Sequence, residues 1–266
     1  MSFLLVGRRM WAETRGIARF RPQEVYQGLG LYETVGCQDG QPLLWQAHAA
    51  RFSRSAQELF ASSPELADEG AVRRLLLACG LASGPAALRV VWFYPRRAAV
   101  VWATRFSVPR TLRERGAHLT TALLPAHPLT PHKTTSVGPA QVLHRQALAA
   151  GFDGVLFYAH ERVVRETATA NIFAVFDGEV LTPPAPPLAL PGVLRGYCMA
   201  FLRERGWPVR EARFHLDELL ACGGAFLTSS LSGVVPVRAI NGQPLPFPAE
   251  LFKVFQGGNL PVPGNR

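Results

Sequence analysis

Arg162-Val163-Val164-Arg165-Glu166-Thr167-Ala168-Thr169-Ala170-Asn171-Ile172-Phe173-Ala174-Val175-Phe176, then Asp177-Gly178, then Glu179-Val180-Leu181-Thr182, reads as a long strand, a two-residue turn and a returning strand. Asp-Gly supplies the positive φ that a tight hairpin turn needs. Glu166 and the small polar run after it interrupt an otherwise apolar stretch. A carboxylate carried into a core requires a partner that rewards its charge. A protonated ring nitrogen would do so, and so would Arg162 or Arg165 in a structural ion pair.

Upstream of this stretch lie a strand at Gly154–Tyr158, a helix from about Pro139 to Ala150, and a strand at Ala117–Leu124. Between the last two, Pro125, Pro128 and Pro131 punctuate a loop that ends at His132-Lys133. Downstream, the proline-rich Pro183–Pro187 leads into a helix with the stripe Leu194, Tyr197, Cys198, Phe201 and Leu202, stopped by Gly206 and Pro208. A short helix at 216–222 and strands at Ala225–Leu227 and Val234–Val237 follow. Toward the N-terminus a second Asp-Gly turn, Asp39-Gly40, sits inside a hairpin over 28–45. A helix from about His48 to Phe60 shows Phe52, Ser55, Ala56, Leu59 and Phe60 on one face. A helix at about Gly70 to Cys79 and strands at Leu88–Tyr94 and Ala98–Ala103 complete this region. Thr104–Leu112, with Pro109 at its centre, reads as the linker, giving a small α+β domain over 1–105, a linker over 106–112 and a larger domain over 113–266.

The 266 residues are 48% apolar, 18% charged and 10% aromatic, which excludes disorder as the dominant state. No apolar run reaches the roughly 20 residues that cross a bilayer, and the opening Met1–Gly7 meets Arg8-Arg9 before a signal-peptide core can form. A soluble cytoplasmic protein without membrane association is expected. Cys37, Cys79, Cys198 and Cys222 form no C-x-x-C pair, and no histidines take zinc-site spacing, so neither a disulfide framework nor a metal site is expected. The net charge of +9 is arginine scattered along the chain without a recognition motif, so no nucleic-acid partner is expected.

Of the 28 basic residues, 26 are arginine and only Lys133 and Lys253 are lysine. An amine can lose its proton and attack a carbonyl, which a guanidinium cannot do. Lys133 stands in a loop between prolines and the small residues Thr134, Thr135 and Ser136, where it is either an ordinary surface lysine or an amine held in a cleft. Lys253 lies in an apolar segment, Leu251–Phe255, from which a long side chain can snorkel. Pro191-Gly192-Val193-Leu194 opens a helix whose first N–H groups are available to an anion. Ser229-Ser230 adds hydroxyl donors at a strand end, and Arg51 a cationic fork. A lysine, a glutamate and an anion cradle together are what pyridoxal 5'-phosphate needs.

In order and spacing these residues resemble the class IV aminotransferase family, the fold-type IV pyridoxal-phosphate enzymes. The resemblance covers about residues 28–242. It is carried by Tyr32-Glu33-Thr34 with Asp39-Gly40, His48-x-x-Arg51, Lys133-Thr134, Val164-x-Glu166-x-x-x-x-Asn171-Ile172-Phe173, Leu190-Pro191-Gly192-Val193-x-Arg195, and Ser229-Ser230 with Val235-Pro236-Val237. It implies an α+β, two-domain fold with a larger barrel-like β domain and flanking helices, usually a homodimer, acting on a small-molecule amino substrate. It further implies Lys133 as the Schiff-base lysine and proton shuttle, and Glu166 as partner of the pyridine nitrogen. Arg51, the Val193 and Leu194 N–H groups, Ser230 and the Leu231 N–H are implied as phosphate contacts.

The chain departs from many relatives in three places. Val137-Gly138 stands where a tyrosine commonly follows the lysine, Leu194 replaces a threonine, and Leu29 replaces the aspartate of a Gly-Asp-Gly stretch. The Tyr-Glu-Thr stretch and the short chain point by resemblance to aminodeoxychorismate lyase activity, with transamination of D-amino or branched-chain amino acids as the alternative. For a carboxylate of the substrate, Arg89 and Arg105 are both candidates.

Overall fold

The computed structural model describes residues 3–12, 26–106, 110–258 and 260–264. The chain divides into two compact units: residues 1–108 with 132–136 and 261–266, and residues 109–131 with 137–260.

In the first unit β1 (Phe3–Val6), β2 (Arg9–Ala12), β3 (Gly30–Gln38), β4 (Gln41–Pro42), β5 (Pro85–Phe93) and β6 (Val100–Arg105) form one antiparallel sheet in the order β2-β1-β6-β5-β3-β4. Asp39 and Gly40, with φ of 50° and 72°, make the turn between β3 and β4. Leu31, Val35 and Cys37 of β3 and Leu88, Val90 and Trp92 of β5 face a core closed by α1 (Trp45–Phe60) and α2 (Glu69–Ala78). Helix α1 begins before the predicted His48, because Leu44 takes a left-handed φ of 53° that turns the chain out of β4. Strands β1 and β2 were not legible in the sequence: each is only four residues long, too short for an alternation to register.

The segment His132–Ser136 belongs to this unit rather than to the 113–266 domain drawn from sequence. Strand β4 pairs only with Cys37 and Gln38, so the Gly30–Tyr32 end of β3 keeps an open edge. Tyr32 N donates to Lys133 O at 2.9 Å and Thr135 N to Gly30 O at 2.9 Å along that edge. Within the predicted linker, Thr104 and Arg105 continue β6, residues 110–112 begin α3 (Arg110–Arg115), and residues 107–109 lie outside the described residues.

The second unit contains β7 (Ala117–Leu123), α4 (Gly138–Ala149), β8 (Gly154–Tyr158), β9 (Val164–Thr167), β10 (Asn171–Phe176), β11 (Glu179–Thr182), α5 (Val193–Arg203), β12 (Val209–Glu211), α6 (Leu216–Leu220), β13 (Ala225–Ser229), β14 (Gly233–Ile240), β15 (Gln243–Pro244) and α7 (Ala249–Gln256). Its sheet runs β12-β11-β10-β13-β14-β7-β8-β9, with β15 on β14. The sheet curls until β9 lies against β10, giving a barrel-like wall around Leu119, Leu156, Val164, Ile172, Val235 and Val237. In α7, Phe255 stacks on Phe201 and meets Phe226 edge-on, while Lys253 reaches out to Glu250 at 2.7 Å. Among the described residues no helix is long and apolar enough to cross a membrane.

The stretch predicted as a single strand over 162–176 is two strands, β9 and β10, joined by a turn and paired to different neighbours, β9 to β8 and β10 to β11 and β13. Thr167 accounts for the break: its hydroxyl accepts from Ala170 N at 2.9 Å and donates to Ala170 O at 3.0 Å, tying Ala168–Ala170 into a turn.

Candidate active site

In the first unit the loop bearing Lys133 is fixed on both sides. His132 Nδ1 lies 3.1 Å from Ser55 Oγ, and Thr135 Oγ1 and Ser136 Oγ donate to Gly28 O at 2.8 and 3.0 Å. The half-buried Lys133 carries its Nζ over the Tyr32 ring, 4.2 Å from the centroid, and among the described residues it makes no ion pair. A second cation shares that sheet face. The register sets Tyr32 opposite Val91 and Thr34 opposite Arg89, so Arg89 sits diagonally from Tyr32, on the side away from the Leu88 and Val90 core. Burial lowers the guanidinium's pKa, partly offset by charge interaction with Tyr32. Among the described residues no acidic side chain pairs with Arg89.

Three polar side chains, His48, Arg51 and Ser55, lie on the buried face of α1 among Trp45, Phe52 and Ala56. Arg51 grips Glu33 bidentately, Nε to Oε1 and Nη2 to Oε2, both at 2.8 Å, and His48 Nδ1 lies 2.9 Å from Oε2. Burial alone would push the Glu33 carboxyl up, but the Arg51 charge and the His48 and Arg51 hydrogen bonds outweigh it and hold it at about 2. Glu33 is therefore an anion inside the core that fixes the orientation of Arg51. Sequence reading singled out Arg51 and took Glu33 only as part of a stretch; the polar positions recurring on an apolar helix stripe were the available signal.

In the second unit Glu166 is the third of the four residues of β9. Its Oε1 accepts from Leu190 N at 3.1 Å and its Oε2 from Asn171 Nδ2 at 3.0 Å, while the same Nδ2 donates to Leu190 O at 2.9 Å. The arginines considered as its ion-pair partners are engaged elsewhere. Arg162 reaches Asp217 at 3.0 Å, and Arg165 donates to Leu188 O at 2.9 Å, to Leu124 O and to Thr130 Oγ1 at 3.3 Å. Glu166 reaches Arg165 through charge, opposing the lowering of that guanidinium's pKa by burial.

Val193 and Leu194 are the first two residues of α5, entered through Gly192, which has no side chain with which to cap them. A Cβ at Gly192 would lie 2.0 Å from Asn171 Oδ1, so only glycine fits there. Helix α5 packs on β13, whose turn into β14 carries Ser230 and Leu231; Ser232 N donates to Ser229 Oγ at 3.0 Å across that turn.

The family model for class IV amino-transferases matches residues 30–240. The chain belongs to the class IV aminotransferase family. It is 25% identical over 245 residues to the bifunctional aminodeoxychorismate lyase / D-amino acid transaminase of Mycobacterium tuberculosis, covering 83% of this chain and 84% of that one. It is 28% identical over 236 residues to the aminodeoxychorismate lyase of Vibrio harveyi, covering 80% and 84%. The fold IV-transaminase CpuTA1 of Curtobacterium pusillum superposes with a TM-score of 0.82 at 21% identity over 96% of each chain, and shares its fold. The class IV member described here is thus a pyridoxal 5'-phosphate-dependent enzyme of fold-type IV. Each unit by itself offers groups that suit that cofactor: in the first, the Lys133 amine, which makes no ion pair among the described residues; in the second, the Glu166 carboxylate as an acceptor and the first N–H groups of α5 at Val193 and Leu194, which no side chain caps among the described residues.

Proposed function

We propose that this enzyme is an aminodeoxychorismate lyase, converting 4-amino-4-deoxychorismate to 4-aminobenzoate and pyruvate. The observation that carries this reading is Arg89: a half-buried guanidinium with no acidic partner among the described residues, on the same sheet face as the tyrosine that holds the Lys133 amine. A cation placed so, beside a reactive amine, is suited to a carboxylate, and the substrate is a dicarboxylate. The two relatives matched along most of their length, both bearing the lyase name, support it.

The cofactor, when bound, supplies an electron sink at its ring. Lys133 is its covalent attachment point, and the free amine is the base that takes the proton from the ring carbon bearing the substrate's amino group. The C–O bond to the enolpyruvyl side chain then breaks, and the released enolpyruvate takes up a proton to become pyruvate. Glu166 holds a proton at the pyridine nitrogen by accepting its hydrogen bond. For the phosphate, the family resemblance names Arg51 in the first unit and, in the second, the Val193 and Leu194 N–H groups, Ser230 and the Leu231 N–H as the groups that would hold it.

Purified enzyme mixed with aminodeoxychorismate should release 4-aminobenzoate and pyruvate in equal amounts. The bifunctional Mycobacterium tuberculosis relative supports a second reading, D-amino acid transamination. Rapid amino-group exchange between amino-acid and oxo-acid pairs, with no 4-aminobenzoate formed, would replace the first reading with the second.

A further inference from the structure

We propose that Asn171 is a positioning residue that locks the Glu166 carboxylate to the entry of α5, so that the acceptor for the ring nitrogen and the helix start set for the phosphate are held as one piece. This rests on the reading of Glu166 as partner of the pyridine nitrogen.

Asn171 is buried at 6% exposure and opens β10, just past the turn that Thr167 closes. Its single amide nitrogen spends both hydrogens, one on Glu166 Oε2 and one on Leu190 O. Leu190 returns its own N–H to Glu166 Oε1, which closes a ring of three hydrogen bonds around the carboxylate. Oε2 and Oε1 each accept one of these donors, and a carboxylate oxygen accommodates more than one. Two residues further on, Gly192 leaves no room for a side chain against Asn171 Oδ1, so the amide is confined from that side as well. A carboxylate on a short strand otherwise rotates freely about its own side chain. Here two donors from two separate segments, themselves joined by the Asn171–Leu190 bond, restrain it, which is the preorganisation an electrostatic partner needs. A serine or an alanine at 171 could not bridge both acceptors.

The sharpest variant is Asn171→Asp, which keeps size and shape but sets a second carboxylate where the amide donor stood, 3.0 Å from Glu166 Oε2. Two carboxylates so close do not both stay ionised, and the pair shares a proton. The readout is the protonation of the cofactor's ring nitrogen, followed in the loaded protein by the 15N shift of labelled cofactor against pH, together with the cofactor dissociation constant by equilibrium dialysis. The midpoint should fall by about a unit or more, and the dissociation constant should rise roughly tenfold. Gly192→Ala is the independent check. Its φ of −63° suits alanine, so its effect comes from the Cβ displacing Asn171, and the midpoint should fall in the same direction.

A wild-type midpoint in both variants overturns the proposal, even where affinity drops, because loss of local packing alone would not move it. Glu166→Gln, measured alongside, separates the two ideas. If that variant leaves the midpoint in place, the reading of Glu166 falls; if it alone moves the midpoint, only the role of Asn171 falls.

Discussion

Replacing Glu33 by glutamine tests how the first unit keeps charge in its core. Glu33 is 2% exposed and Arg51 6%, so the variant leaves a buried guanidinium whose two 2.8 Å contacts lose their negative partner. Breaking a buried pair from one side costs about 3–5 kcal/mol. The pH dependence supplies an independent magnitude. The carboxyl is held at about 2 against an ordinary 4.5. A folded-state value below the unfolded one means that the native state binds this proton later. Its stabilisation is fully present above pH 4.5 and is lost as pH falls toward 2. At 1.36 kcal/mol per unit, the stabilisation at stake is about 3 kcal/mol.

The assay is urea unfolding of the wild type and Glu33→Gln at steps from pH 7 to pH 2.5, followed by tryptophan fluorescence. Other carboxylates titrate in both proteins and cancel in the difference. The gap between the two should be about 3 kcal/mol at pH 7, steady down to about pH 4.5, and should shrink steeply below that. A gap that stays constant through the acid range would refute the reasoning, because the lost interaction would then not depend on the charge of Glu33.

Lys133→Ala should abolish turnover while the folded protein persists, and borohydride reduction of the wild-type holoenzyme should attach cofactor to the peptide bearing Lys133; label on Lys253, which is exposed beside Glu250, would contradict the assignment. Arg51→Ala should weaken cofactor binding by about 1.5–3 kcal/mol in equilibrium dialysis, and equal affinity would exclude Arg51 from the phosphate. Arg89→Gln should raise KM for aminodeoxychorismate by roughly ten- to a hundredfold with kcat largely kept; an unchanged KM would remove the carboxylate role.

Sequence showed most where a residue type has one physical use. Asp39-Gly40 and Asp177-Gly178 announced their turns because few other pairs accept two left-handed residues, and all four positions have positive φ. Lys133 stood out because the chain otherwise uses arginine for charge. The turn inside 162–176 was hidden because it depends on one threonine hydroxyl bonding back to Ala170, and threonine is also a good strand residue. Asn171 was visible only as a member of a spaced motif. Its role follows from Leu190 and Gly192, about twenty residues away, which spacing alone does not bring to it.

Arg89 and Arg105 show what a strand pattern leaves open and what register closes. Both were candidates for a substrate carboxylate, and both lie on strands of one sheet. Which face each presents depends on the partner strand. Arg89 sits opposite Thr34 and Trp102, in the middle of β5 and half-buried, one diagonal step from Tyr32. Arg105 ends β6 in solvent and donates to Gly80 O at 3.1 Å and Ser83 O at 3.5 Å, holding the loop after α2. Its guanidinium is already committed to carbonyl oxygens and screened by water. A carboxylate gains most from a cation that is desolvated before it arrives and has no anion to displace. Of the two, only Arg89 is half-buried and, among the described residues, without an acidic partner, so the choice between two arginines of equal standing in the sequence rests on one residue of strand register.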